Sequence, residues 1–173
     1  GEIRDGETAD IAVKFALTGH LVFSTVHAND APGTITRLLD IGIAPFLVGS
    51  CLNLVMAQRL VRRLCNNCKE EYKPSDQELG LVGLDPSKVS GPLYRAKGCA
   101  ECRNTGYKGR LAIFEMIPMA RNLRKLVFDN ANEDDLRQAS LKNGMETLRE
   151  AGLARVLDGT TTIEEILRST VEE

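Results

Sequence analysis

Four cysteines stand in two pairs, Cys65-x-x-Cys68 and Cys99-x-x-Cys102, with residues 69 to 98 between them. Each turn of this kind aims two thiolates at one point, and two such turns supply the four sulfurs of a tetrahedral Zn²⁺ site. The gap exceeds the roughly 15–20 residues of the commonest ribbon spacing, so a small subdomain must fill it. Two disulfides, or two redox-active motifs, could be built from the same residues. No signal-peptide pattern opens the chain, which points to a reducing compartment and away from disulfides. Redox pairs usually open a helix in a thioredoxin-like context, and none is evident here. With four protein ligands the expected site is closed and structural. Its binding energy would fold an element too small to own a core. Cys51 stands alone in an apolar stretch, where a cysteine packs as a small hydrophobe.

A second constellation lies in the first thirty residues. Gly1-Glu2-Ile3 reads as the end of a strand, Asp5 to Thr18 as a helix, and His20 to Val26 as a short strand apolar on both faces. In the helix, Thr8, Ile11, Ala12, Phe15 and Ala16 recur at the spacing of one buried stripe. Asp5 suits the N-cap, and Gly19 the left-handed position past the end. Strand, helix and strand make a right-handed crossover, so the two strands run parallel and their C-terminal ends share an edge. Glu2 and His27 both fall at that edge, where open α/β sheets hold ligands. An acid and an imidazole converging there suit a nucleotide phosphate. The carboxylate could hold a Mg²⁺-bound water or orient the attacking one, and the imidazole could touch the terminal phosphate. The spacing also fits a surface carboxylate and a structurally satisfied histidine. Arg4 and Asp5 read as an ion pair and a helix cap.

The elements that must position these groups are ordinary globular ones. Lys and Arg number 22 against 24 Asp and Glu, so bulk charge draws the chain to neither nucleic acid nor acidic lipid. Arg59, Arg62 and Arg63 are soon followed by Glu70 and Glu71, and aromatic residues are only 5% of the chain, too few for base-stacking platforms. The longest uncharged run, Ile41 to Gln58, is interrupted by Pro45, Ser50 and Asn53 and reads as buried helices rather than a membrane span. A helix should start at Pro32 and run through Ile35, Leu38 and Leu39 to Gly42. Another should cover Phe46 to Ala57. Ser75 to Leu81 suits a short helix, 86–92 a loop and 110–117 an alternating strand. Helices are expected at 121–130, 133–143, 146–158 (closed by Gly159) and 162–170. The abrupt start reads as that of a piece of a longer protein. No G-x-x-x-x-G-K-S/T phosphate loop occurs, so the chain alone is expected neither to bind ATP tightly nor to hydrolyse it.

The run Gly1-Glu2-Ile3-Arg4-Asp5-x-Glu7-Thr8-Ala9 and the later Thr18-Gly19-His20-Leu21-Val22-Phe23-Ser24-Thr25-Val26-His27-Ala28-Asn29-Asp30-Ala31 resemble the Walker B tail and histidine box of the secretion and pilus ATPases. The family's usual second motif has Leu and Thr where this chain has Val26 and Ala28. By that resemblance Glu2 is the acid acting on magnesium-bound or attacking water, His27 senses the γ-phosphate, and Arg4 joins them in holding nucleotide. His20 matches too and reads as structural, bonding across the sheet or a subunit contact. Leu64-Cys65-x-x-Cys68 and Gly98-Cys99-x-x-Cys102-x-x-Thr105-Gly106-Tyr107-x-Gly109-Arg110 resemble the tetracysteine element of the assembly and export ATPases, which retraction ATPases generally lack. Gly144-Met145-x-Thr147-Leu148-Arg149 and Ile163-x-Glu165-Ile166-Leu167-Arg168 resemble the family's C-terminal helices.

The resemblance implies an α/β fold in three parts: the end of a RecA-like parallel-sheet ATPase core (1–57), a zinc-binding element (58–117) and a helical subdomain (118–173). It also implies ATP and Mg²⁺ beside Zn²⁺, and a homohexamer in the full-length protein. The motor would sit in the cytoplasm at the inner membrane, acting on a platform protein and other machinery components. A zinc-stapled interaction or nucleic-acid-binding module with no catalytic role is the competing expectation.

Overall fold

Asp5 accepts the Thr8 amide at 2.8 Å and so starts the first helix, as its position predicts. The computed structural model describes residues 1–89 and 91–170. Ser90, in the expected loop 86–92, and residues 171–173 lie outside them. In chain order the elements are β1 (Glu2–Ile3), α1 (Gly6–Leu17), β2 (Thr25–Val26), α2 (Ala31–Asp40), α3 (Pro45–Cys51), β3 (Leu54–Leu64), β4 (Glu70–Tyr72), α4 (Asp76–Leu81), β5 (Leu93–Arg95), β6 (Tyr107–Pro118), α5 (Arg121–Phe128), α6 (Glu133–Lys142), α7 (Leu148–Leu157) and α8 (Ile163–Ser169). Short 3₁₀ turns occupy Pro86–Lys88 and Ala100–Cys102. The fold is α/β. Its described strands pair two by two: β1 with β2, β3 with β6, and β4 with β5. No described helix is long and apolar enough to cross a membrane.

The chain divides into two compact units, each built from two stretches: Gly1–Ala57 with Glu115–Glu146, and Gln58–Phe114 with Thr147–Glu173. The helices after residue 118 are thus shared between the units.

In the first unit β1 and β2 run parallel, Glu2 opposite Thr25 and Ile3 opposite Val26. The strand expected from His20 to Val26 is only its last two residues. Leu21 and Phe23 are 73% and 82% exposed, so no second sheet face covers them, and unpaired backbone there stays irregular. The apolar stripe of α1 is likewise open: Ile11 and Phe15 are about half exposed, and Ala9 is the buried residue. α2, α3, α5 and α6 pack around Ile35, Val48, Leu123, Val127 and Leu136. α3 and α5 approach closely at Gly49, where a Cβ would stand 2.5 Å from the Phe128 ring.

The helix expected over Phe46–Ala57 ends at Cys51, and the chain continues as β3. Val55, Ala57 and Val61 face inward while Leu54, Met56 and Leu60 face out, a period of two that a short apolar run hides beside a helical reading. The strand expected at 110–117 is there and longer, with Ile113, Glu115 and Ile117 on its buried side. In the second unit the antiparallel pair β4–β5 and helix α4 fill the gap between the cysteine pairs. Leu64 N–H donates to the Thr160 carbonyl at 2.8 Å, and the Tyr107 hydroxyl meets Thr162 at 2.8 Å, tying α8 to the strands.

Candidate nucleotide edge and metal centre

Parallel pairing brings Glu2 and His27 to one edge. The Nε2 of His27 stands 2.5 Å from Oε1 of Glu2. Arg4 donates through Nε to the other oxygen, Oε2, at 2.7 Å. The Arg4 guanidinium beside it holds the Glu2 carboxyl below the usual range, and His27 adds to the effect. An ionised carboxylate with an imidazole on one oxygen and a guanidinium on the other can orient a water, or a water on a cation. His27 is open, its side chain 83% exposed, while that of Glu2 is 25% exposed. A ligand arriving from outside therefore meets the imidazole first. Asp5, as expected, caps α1. His20 does not bond across the sheet. Its Nδ1 meets the Thr18 hydroxyl at 3.0 Å and its ring abuts Phe15 edge-on, because the chain turns directly out of α1 at Gly19, whose φ is +88°.

The four paired cysteines converge, with all Sγ atoms within 4.8 Å of one another. Cys65 and Cys99 are 3.9 Å apart, Cys68 and Cys102 3.8 Å, and Cys99 and Cys102 3.7 Å. A tetrahedral ion bound to sulfur at about 2.3 Å has sulfur–sulfur edges of about 3.8 Å, whereas a disulfide needs about 2.05 Å. The quartet therefore fits a four-coordinate metal ion, and none of its members is disulfide-bonded. Burial alone would push the Cys102 thiol up, but the amides of Cys99 and Gly106, each 3.2 Å from its sulfur, bring it down to about 6. Burial pushes Cys68 up to about 12, so within one quartet the sulfurs differ in readiness to ionise. A cation supplies the charge that favours four thiolates together.

The glycines of the second turn are required by space as well as by φ. A Cβ at Gly98, φ +108°, would lie 2.8 Å from the Asn104 carbonyl. Cys51 is half-buried and belongs to the other unit, its Sγ 3.9 Å from the Val13 carbonyl.

Arg62, one of the three arginines beside Cys65, is not free for a polyanion. It stacks on the Tyr107 ring at 4.0 Å and pairs with Glu165, which is fully buried and also paired to Arg168. Sequence reading missed this cluster, and it missed the contacts of Glu115 and Arg137 with the turn after His27. No spacing rule links residues 80 to 110 positions apart.

Residues 1–168 match the family described as "Type II/IV secretion system protein". The "Type IV pilus assembly ATPase PilB" of Myxococcus xanthus is 48% identical over 100% of this chain and 31% of its own length. The "Type II secretion system protein E" of Pseudomonas aeruginosa is also 48% identical, over 100% of this chain and 34% of its own length. The chain thus spans about a third of these relatives. The crystal structure of the pilus retraction motor PilT with bound ADP aligns with 97% of the chain and 37% of its own, at a TM-score of 0.63 and 23% identity, a likeness of fold.

Proposed function

The chain belongs to the type II/IV secretion system protein family, and on that premise we propose that it is the C-terminal part of a motor ATPase driving type IV pilus assembly or type II protein secretion. The observation that carries the reading is the contact of Glu2 with His27 across the ends of two parallel strands. Residues 1–57 would contribute the edge of a RecA-like core, and 58–117 and 118–173 the metal element and the helical part. ATP with Mg²⁺ supplies the reacting phosphoryl group and the cation that neutralises its charge. Glu2, already ionised under the influence of Arg4, would take up or orient the proton of the attacking water. His27 would contact the terminal phosphate, and Arg4 would hold Glu2 in place while adding positive charge at the edge.

Cys65, Cys68, Cys99 and Cys102 would hold Zn²⁺, a d¹⁰ ion suited to a closed sulfur tetrahedron and to a purely structural task. The support is the match of their separations to that tetrahedron.

The full-length protein would be a cytoplasmic homohexamer at the inner membrane, coupling hydrolysis to a platform protein and the rest of the machinery. The 173-residue chain alone, without a phosphate loop, would be inactive. Replacing Glu2 by Gln in the full-length protein tests the central assignment. ATP should still bind while turnover falls by about a hundredfold or more. Undiminished turnover would remove the role given to Glu2.

A further inference from the structure

The turn that carries His27 runs straight into α2, and side chains from β6 and α6, in the other stretch of the same unit, hold it there. Ala31 N–H, at the first residue of α2, donates to Oε1 of Glu115 at 2.8 Å, and Glu115 is 2% exposed. Asp30 uses both its oxygens. Oδ1 accepts the Gly33 amide at 2.8 Å as the helix cap, and Oδ2 takes the Arg137 guanidinium at 2.7 Å. Arg137 is braced in turn by Glu133, four residues earlier on α6, at 2.8 Å. The side chains of Arg137 and Asp30 are only 27% and 19% exposed, so the pair is partly desolvated and its geometry matters. Gly33 leaves the room for this: a Cβ there would stand 3.0 Å from Oδ1 of Asp30 and 3.4 Å from Oε2 of Glu133. His27 lies three residues before Asp30, a reach of at most about 11 Å. A turn so short, fixed at Asp30 and Ala31, limits how far the backbone of His27 can move from the strand end that carries Glu2.

We propose that Arg137 is a positioning residue for ATP hydrolysis, with Glu115 as the second anchor: it clamps Asp30 and thereby holds His27 at the nucleotide edge. This rests on the reading of His27 as the group that meets the terminal phosphate. The test is a double-mutant cycle in the full-length protein, comparing turnover in the parent, Arg137→Ala, His27→Ala and the double variant. Arg137→Ala should lower kcat about tenfold while KM for ATP moves less than about twofold, the signature of a misplaced group rather than of lost binding. Arg137→Lys, which keeps a cation beside Asp30, should recover most of the loss. In the His27→Ala background Arg137→Ala should have no further effect, since it acts only through the imidazole. Asp30→Asn keeps a good helix cap while removing the charge that Arg137 grips. It should lose kcat as Arg137→Ala does, and it serves where that variant folds poorly. No loss from either change in the parent, or the same loss in both backgrounds, overturns the positioning role while His27 keeps its own. Full turnover in His27→Ala itself would instead remove the phosphate reading of His27, and the proposal with it.

Discussion

Glu165 is completely buried yet ionised, because five donors surround its two oxygens. The Arg62 amide and Nε lie at 2.9 and 2.8 Å and its Nη2 at 2.6 Å, and Arg168 reaches it through Nε at 3.1 Å and Nη2 at 2.7 Å. Burial pushes its carboxyl up, but the hydrogen bonds from Arg168 and Arg62 outweigh it and bring the pKa to about 2. An unfolded glutamate titrates near 4.3. The folded value is the lower one, so the stability this group contributes is complete above about pH 4.3 and is lost as pH falls toward 2. Glu165→Gln should cost roughly 1–3 kcal/mol at neutral pH and flatten the acid limb between about pH 4 and 2. Urea unfolding followed across that range reads both effects, and an unchanged acid limb would place the acid sensitivity elsewhere. Sequence alone singled out Glu165 and Arg168 as a motif but not their partner, because Arg62 lies 103 residues away.

Among the elements, the cap expected at Asp5 is one of a set that the structure shows at most helix starts. Asp5, Asp30, Ser75, Asn132, Thr147 and Thr162 all accept an amide hydrogen bond from the first turn of the helix that follows. Thr147 forms a reciprocal box with Glu150, so Thr147→Ala should destabilise its unit by about 1 kcal/mol in thermal or urea unfolding. Glycines divide by backbone. Gly80 sits exposed inside α4, where an added Cβ would meet nothing within 4 Å, so Gly80→Ala should be neutral or stabilise by about 0.5–1 kcal/mol. Gly98→Ala meets both a positive φ and the Asn104 carbonyl, and should displace Cys99. Its bound metal, measured by elemental analysis after gel filtration, should fall well below that of Gly80→Ala; equal contents in the two variants would count against a strict second turn. The start of β3 was misread as helix, because the uncharged apolar run Leu54–Ala57 left helix and strand indistinguishable until β6 lay beside it.

At the scale of the whole chain, two compact units are each assembled from two distant stretches, and one of them contains the thiol quartet. If that quartet holds zinc, stripping the ion should lower hydrogen-exchange protection in Gln58–Phe114 and Thr147–Thr170 far more than in the other unit. Equal loss in both units, or none, would mean that the metal does not carry the fold of its own unit.

Much of the candidate chemistry could be read without coordinates. The two C-x-x-C turns, the acid and imidazole at the ends of successive strands, and the Asp5 cap of α1 depend on motifs and element order that the sequence displays directly. Tertiary structure alone decided which distant arginine joins Arg168 in neutralising Glu165, which carboxylate receives the first amide of α2, and that the 20–24 segment stays open rather than forming a covered strand. These contacts join residues separated by many tens of positions, or depend on which neighbouring surface is present. Periodicity and propensity record what a segment prefers, whereas desolvation and charge pairing act between whatever surfaces folding brings together.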